Sequence, residues 1–143
     1  MWATRIVPPI AVIMAAASVI ATPAHATPGR DVQATELWKR TADAMDYTFE
    51  EITIAPGGST GWHWHTGRLY GVIKEGTLTH YMADCSVDGV YSAGDAVFEQ
   101  SGQDRVHIGR NEGGAPLVLQ VLYVLPARSA LSEDAPDPGC GFA

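Results

Sequence analysis

Cysteine is almost absent from this 143-residue chain: there are two, Cys85 and Cys140, and no C-x-x-C pair. That weighs against a thiolate metal site or a redox-active dithiol, which need paired and closely spaced sulfurs. Basic residues are also scarce, nine Lys and Arg against 16 Asp and Glu, for a formal charge of −7. Such a surface repels phosphate backbones, so nucleic acid is not expected as a partner, and solubility accounts for the charge. No linker, low-complexity tract or clear repeat divides the chain, whose length suits one domain. Long apolar runs are missing too, apart from residues 6–20, a stretch short for a bilayer and broken by Pro8 and Pro9.

That one run has a different meaning. Arg5 precedes it and Ala24-His25-Ala26 follows it, the order of a secretory signal peptide cut between Ala26 and Thr27. Residues 1–26 are therefore expected to leave a secreted or periplasmic protein with no membrane attachment after cleavage. In an exported chain an even pair of cysteines usually forms a disulfide. Pairing Cys85 with Cys140 would tie the Pro- and Gly-rich tail to a mid-domain loop. In the chain-entropy account, so long a loop adds about 4 kcal/mol.

Residues 27–45 read as an N-terminal lead-in with a short helix at 34–44, where helix formers surround Leu37 and Trp38. From residue 46 the texture changes. Short apolar or alternating runs, such as 47–54, 69–73, 77–82 and 117–125, are separated by Pro56-Gly57-Gly58, Glu75-Gly76, Gly94-Asp95 and Asn111-Glu112-Gly113-Gly114. Close strand spacing with glycine-rich turns predicts an all-β antiparallel sandwich or barrel over 46–126. Residues 127–143 read as an irregular tail.

Trp62-His63-Trp64-His65 is the most informative stretch. On a strand, residues two apart share a face, so His63 and His65 point together and the tryptophans point away. Two neutral imidazoles side by side make half a metal site, each offering one nitrogen lone pair. The other reading is a pair of strand histidines beside a tryptophan packing face.

The surroundings of these histidines resemble the two motifs of the cupin superfamily. Gly57, His63, His65 and Gly76 match G-x5-H-x-H-x3,4-E-x6-G, and Gly94, Gly102, His107 and Asn111 match G-x5-P-x-G-x2-H-x3-N. The likeness spans about residues 47–125. It implies a small single-domain cupin of the type-2 kind, folded as a double-stranded β-helix, or jelly-roll barrel, with one metal held by His63, His65 and His107. Three departures stand out. Leu69 occupies the place of the motif's glutamate, Gln100 that of its proline, and four residues rather than two separate Gly102 from His107.

A three-His variant of the motif leaves coordination positions open, which is the arrangement of a catalytic rather than a structural site. It suits one divalent transition metal, Fe, Zn, Ni, Cu or Mn, and affinity order alone does not select among them. With iron the resemblance implies a small-molecule oxidoreductase of the dioxygenase kind. With zinc, bound water would support hydrolase or lyase chemistry. A third reading is a non-catalytic cupin that binds a metal or small ligand. Glu99 and Gln100 could orient a bound water or supply a late ligand, or stand in solvent at a strand end. Tyr70 could face the cavity or the solvent. The expected partners are a small-molecule ligand or substrate and, as the family implies, a second copy in a homodimer.

Overall fold

Residues 34–44, expected as a short helix, form instead the end of a 13-residue strand, β1 (Arg30–Ala42), and the turn after it in the computed structural model, which describes residues 27–142. Helix propensity is a weak prior that a continuous backbone ladder overrides. The ladder comes from β2 (Met45–Ser59), which pairs antiparallel with β1 from Val32↔Ile54 to Ala42↔Met45. Asp43 and Ala44 join the two with φ of 50° and 60°, the left-handed pair of a primed hairpin turn. The expected signal peptide, residues 1–26, lies outside the described residues.

The remaining strands are β3 (His63–Trp64), β4 (Arg68–Glu75), β5 (Thr77–Met82), β6 (Val87–Ser92), β7 (Ala96–Glu99), β8 (His107–Arg110), β9 (Leu117–Pro126) and β10 (Glu133–Asp134). Their pairing makes two five-stranded layers, β1-β2-β9-β4-β7 and β6-β5-β8-β3-β10. The layers meet at a corner where Ser59 of β2 pairs with Arg110 of β8, giving a nearly closed jelly-roll barrel. Strand alternation decides what fills it: β2 turns Asp46, Thr48, Glu50, Ile52 and Ile54 inward. Ile54, Ile73, Leu78, Leu117 and Leu125 are the most deeply buried members of the core between the layers.

The tail, expected to be irregular, is partly built into the sheet. Glu133 and Asp134 pair with Trp64 and His63, and the Ala135 amide donates to the Trp62 carbonyl at 2.8 Å. Cys85 and Cys140 form a disulfide across 55 residues of chain. Phe142 packs against Tyr81 at 4.5 Å between ring centroids, with the Arg110 guanidinium 4.6 Å from its face. Trp62, fully buried with Ile108 and Ala135, anchors this second, smaller core directly behind β3.

The outer face of the first layer carries a row of large apolar side chains. Register sets Trp38 opposite Phe49, Phe49 opposite Leu122, Leu122 opposite Tyr70, and Tyr70 opposite Phe98. Directly opposed residues share a face, so the row crosses all five strands. Trp38, Tyr70 and Phe98 are each about half exposed.

Candidate metal centre

The site begins at a bend that only glycine can make. Gly61 has φ of 76°, and a Cβ there would stand 2.2 Å from the Thr27 carbonyl oxygen. The bend aims the Gly61 carbonyl at the His63 ring, whose Nδ1 lies 2.8 Å from it. His65 Nδ1 lies 2.7 Å from the Leu131 carbonyl, and His107 Nδ1 lies 2.7 Å from that of Arg105. A carbonyl only accepts, so each ring carries its proton on Nδ1 and turns the Nε2 lone pair inward.

His63 and His107 are cross-strand partners in the β3–β8 ladder, with ring centroids 4.4 Å apart, and His65 stands 4.7 Å from His63. All three histidines are buried. The longer loop before His107 folds as a single 3₁₀ turn, Gln103–Arg105. Gly102 donates to the His65 carbonyl at 2.9 Å, so the extra residues still bring His107 home. Asn111, the last motif residue, is a clamp. Its side-chain amide donates to the Ile54 and Ala115 carbonyls and accepts from the Gly113 amide.

A fourth donor joins them from β7. His63, His65, Glu99 and His107 each offer a ligand atom, and these atoms lie within 4.8 Å of one another. The reason is register: Glu99 is the direct cross-strand partner of Leu69, the residue in the place of the missing motif glutamate. A carboxylate is supplied from the neighbouring strand, on the same face. An expectation of three protein donors thus becomes four. The signal was present in the alternation of Ala96-Val97-Phe98-Glu99, which puts Glu99 on the side of the buried Val97.

His80, on β5, also faces the cavity. Its Nδ1 lies 3.0 Å from the Asp88 carboxylate and its Nε2 lies 3.6 Å from Glu99 Oε1. Gln100 is exposed at the rim of the same mouth. Tyr70 is a correction: it stands on the outer face of the barrel, its ring 5.3 Å from Phe98, and cannot reach the centre. Chain alternation excludes it, because its neighbour Leu69 points inward.

Burial favours neutral rings at His63 and His80, while Glu99 stays anionic and pulls His107 the other way. Burial, helped by the nearby His107 and His65, pushes the His63 pKa down to about 3. Burial likewise lowers His80, against the pull of Glu99. Burial works against the Glu99 charge, yet close contacts from His107 and His65 hold its carboxyl well below the usual range. His107 moves up despite burial, because Glu99 lies beside it. Glu99 Oε2 is 3.1 Å from His65 Nε2 and 3.2 Å from His107 Nε2. Even so, all three atoms, and His80 Nε2, are buried with no hydrogen bond of acceptable geometry. Unsatisfied buried polar atoms are costly, and a cation among His65 Nε2, Glu99 Oε2 and His107 Nε2 would satisfy those three at once. Donors about 2.0–2.2 Å from one metal stand roughly 3.0–3.6 Å apart, and the Glu99–His65 and Glu99–His107 separations fall in that range. The residues therefore fit a divalent metal.

Two cavities flank this cluster. One, of about 130 Å³, opens at the barrel mouth between His80, Met82, Asp88, Gln100, Arg105 and His107. The other, of about 40 Å³, lies deeper in the barrel, and Glu99 borders both.

Comparison with known proteins bears on the family and the fold. A family model described as a cupin domain matches residues 50–124. A cupin-2 domain protein from Rhodospirillum rubrum superposes with a TM-score of 0.60 at 17% identity, covering 74% of this chain and just under two thirds, 66%, of that one. A cupin-like protein from Thermotoga maritima gives 0.62 at 17% identity, covering 74% and 77% of the two chains. The polyketide cyclase RemF from Streptomyces resistomycificus gives 0.57 at 19% identity, covering 87% and 90%. Such identities speak to the fold alone. No functionally curated protein matches the sequence.

Proposed function

The chain belongs to the cupin domain family, and from that premise we propose an extracytoplasmic cupin that binds one divalent transition metal through His63, His65, Glu99 and His107 and acts on a small molecule at the barrel mouth. The observation that carries this reading is the convergence of four donor atoms, three of them buried and otherwise unsatisfied. Export is supported by the signal-like segment and by the disulfide, which persists in oxidising compartments. Glu99 offsets half of a dipositive charge, and four protein donors leave five- or six-coordinate metals one or two open positions. When bound, the metal supplies Lewis acidity or redox capacity there. The protein's own residues orient what it meets. His80, with Nδ1–H donated to Asp88, lines the mouth beside Gln100 and Arg105.

An oxidoreductase of the dioxygenase kind is the favoured activity, because a mostly apolar chamber borders the same cluster on the side away from the mouth. Zinc-type hydrolysis and passive binding are the competing readings. The test is metal content of protein purified from the periplasm without chelators, followed by oxygen uptake with panels of thiols, diketones and phenolics. One metal per chain and substrate-dependent uptake are expected. Metal without uptake by any substrate leaves a binder, and no metal after reconstitution with Fe, Zn, Ni, Cu and Mn sinks the site.

The partner proposed for the outer aromatic row is a second copy of this chain. Arg40 and Arg68 lie in the rank of side chains on one side of the row, and Glu51 lies in the rank on the other. A two-fold axis along the row would set the arginine rank of one copy against the Glu51 rank of the other, the self-complementarity an isologous interface requires. Sedimentation equilibrium is expected to give a dimer, and Leu122→Arg a monomer with unchanged metal content. A wild-type monomer at micromolar concentration would remove this partner.

A further inference from the structure

The deeper cavity differs in kind from the mouth. Its walls are mostly aliphatic, Ile52, Ile54, Leu69, Leu78, Leu119 and Val121, joined by Tyr123, and the metal-site residues His63, His65 and Glu99 close one side. Apart from the atoms that face the metal site, several polar groups at its edge are committed. Thr60 Oγ1 donates to the Gly61 carbonyl and accepts from the Gly109 amide, and the Nδ1 atoms of His63 and His65 are held by carbonyls. A buried water needs two to four polar partners, whereas an aliphatic cavity stays dry and takes apolar guests such as xenon. At about 40 Å³ the chamber exceeds the ~10–15 Å³ minimum for one water, yet it is far below the roughly 300 Å³ of a drug-sized ligand site.

A smaller void of about 10 Å³ continues it between β4 and β7, lined by Leu69, Gly71, Val97, Glu99, Leu119 and Val121. Gly71 contributes no side chain here. A Cβ at that position would sit 3.5 Å from its nearest neighbour, in ordinary contact, so alanine would narrow the void without a clash. Leu69 links this feature to the altered motif. A glutamate at 69 would have put a carboxylate into the chamber wall and given water a partner. Its transfer to the cross-strand position, Glu99, leaves that wall aliphatic and puts the carboxylate on the boundary between the two cavities.

We propose that the inner chamber is a binding pocket for a neutral diatomic gas, dioxygen in the first place, separate from the polar mouth that receives the organic ligand. The role of the gas rests on the metal reading above, but its presence in the chamber does not. Apolar guests enter apolar pockets because burial of their surface is favourable and no polar group is stranded. The arrangement gives each reactant its own approach to the same cluster: the organic molecule from the His80 side, the gas from the Leu69 side.

The probe is xenon. Crystals of the metal-loaded protein pressurised with the gas are expected to show one xenon atom between Leu78, Leu119 and Val121, and ¹²⁹Xe shifts in solution should report the same site. Val121→Phe should fill the chamber and abolish the signal while metal content is retained. If that variant fails to fold, Gly71→Ala and Leu69→Gln serve instead: the first should weaken xenon binding and the second should replace xenon by ordered water. Ordered water that xenon does not displace in the wild type overturns the proposal, as does an empty chamber under pressure. Metal assayed on the same crystals separates the two readings. Metal without xenon defeats the gas pocket alone, and xenon without metal defeats the metal site alone.

Discussion

His65→Ala should emerge from periplasmic purification with at most a few per cent of the metal carried by the wild type. Affinity should fall by more than the roughly 10–100-fold that loss of a mere outer-shell partner costs. His65 is chosen because its ring is almost wholly buried, is oriented by the Leu131 carbonyl and lies 3.1 Å from Glu99. Truncation removes one donor and also frees the carboxylate that the ring helps to hold ionised. A stability readout accompanies the metal assay. A ligand that binds only the folded state adds about 4 kcal/mol at 1,000 times its Kd, which for a domain of this size is on the order of 10 °C or more in melting temperature. The wild type should lose that increment in EDTA, and His65→Ala should lose nothing further. Equal metal in variant and wild type, or an EDTA-indifferent wild type, would refute the assignment.

That outcome bears on how much of the centre can be read from residue order. His63 and His65 are legible because strand parity is a local property: H-x-H puts both rings on one face wherever the strand lies. His107 is legible through the second motif, and the longer loop in front of it closes as one 3₁₀ turn rather than displacing it. Glu99 is only half legible. Its inward direction follows from Val97, two residues earlier, but its nearness to the histidines depends on β7 pairing with β4, a long-range register. His80 is hidden for the same reason. Its partner Asp88 lies on β6 and its neighbour His107 on β8, so its role appears only when β5 is placed between them. The N-terminal helix fails at a different level. Local propensity around Leu37 and Trp38 carries no information about the 15-residue β2, whose ladder along one edge of β1 holds that segment extended. In the barrel itself, alternation and glycine turns were sufficient, because each strand carries its own inside and outside.

Moving the carboxylate back across the β4–β7 ladder should rescue a centre that its removal has disabled. Glu99→Leu alone is expected to weaken metal binding about 100-fold, since three neutral rings then face the cation with no charge to offset it. Adding Leu69→Glu should recover most of that loss. Directly opposed strand residues have Cβ atoms about 4.5–5.5 Å apart on one face, so a glutamate at either position can extend to the same point. The exchange also conserves the composition of the pair, one leucine and one glutamate, which limits the packing disturbance in a core that holds Leu69 against Val121 and Leu119. Leu69→Glu by itself should be the least stable of the three, because it buries a second carboxylate beside Glu99. Competition with a chelating dye measures each affinity, and the double variant is the decisive member. If it binds no better than Glu99→Leu, the two positions are not interchangeable, and Glu99 touches the centre in some way other than as the displaced motif carboxylate.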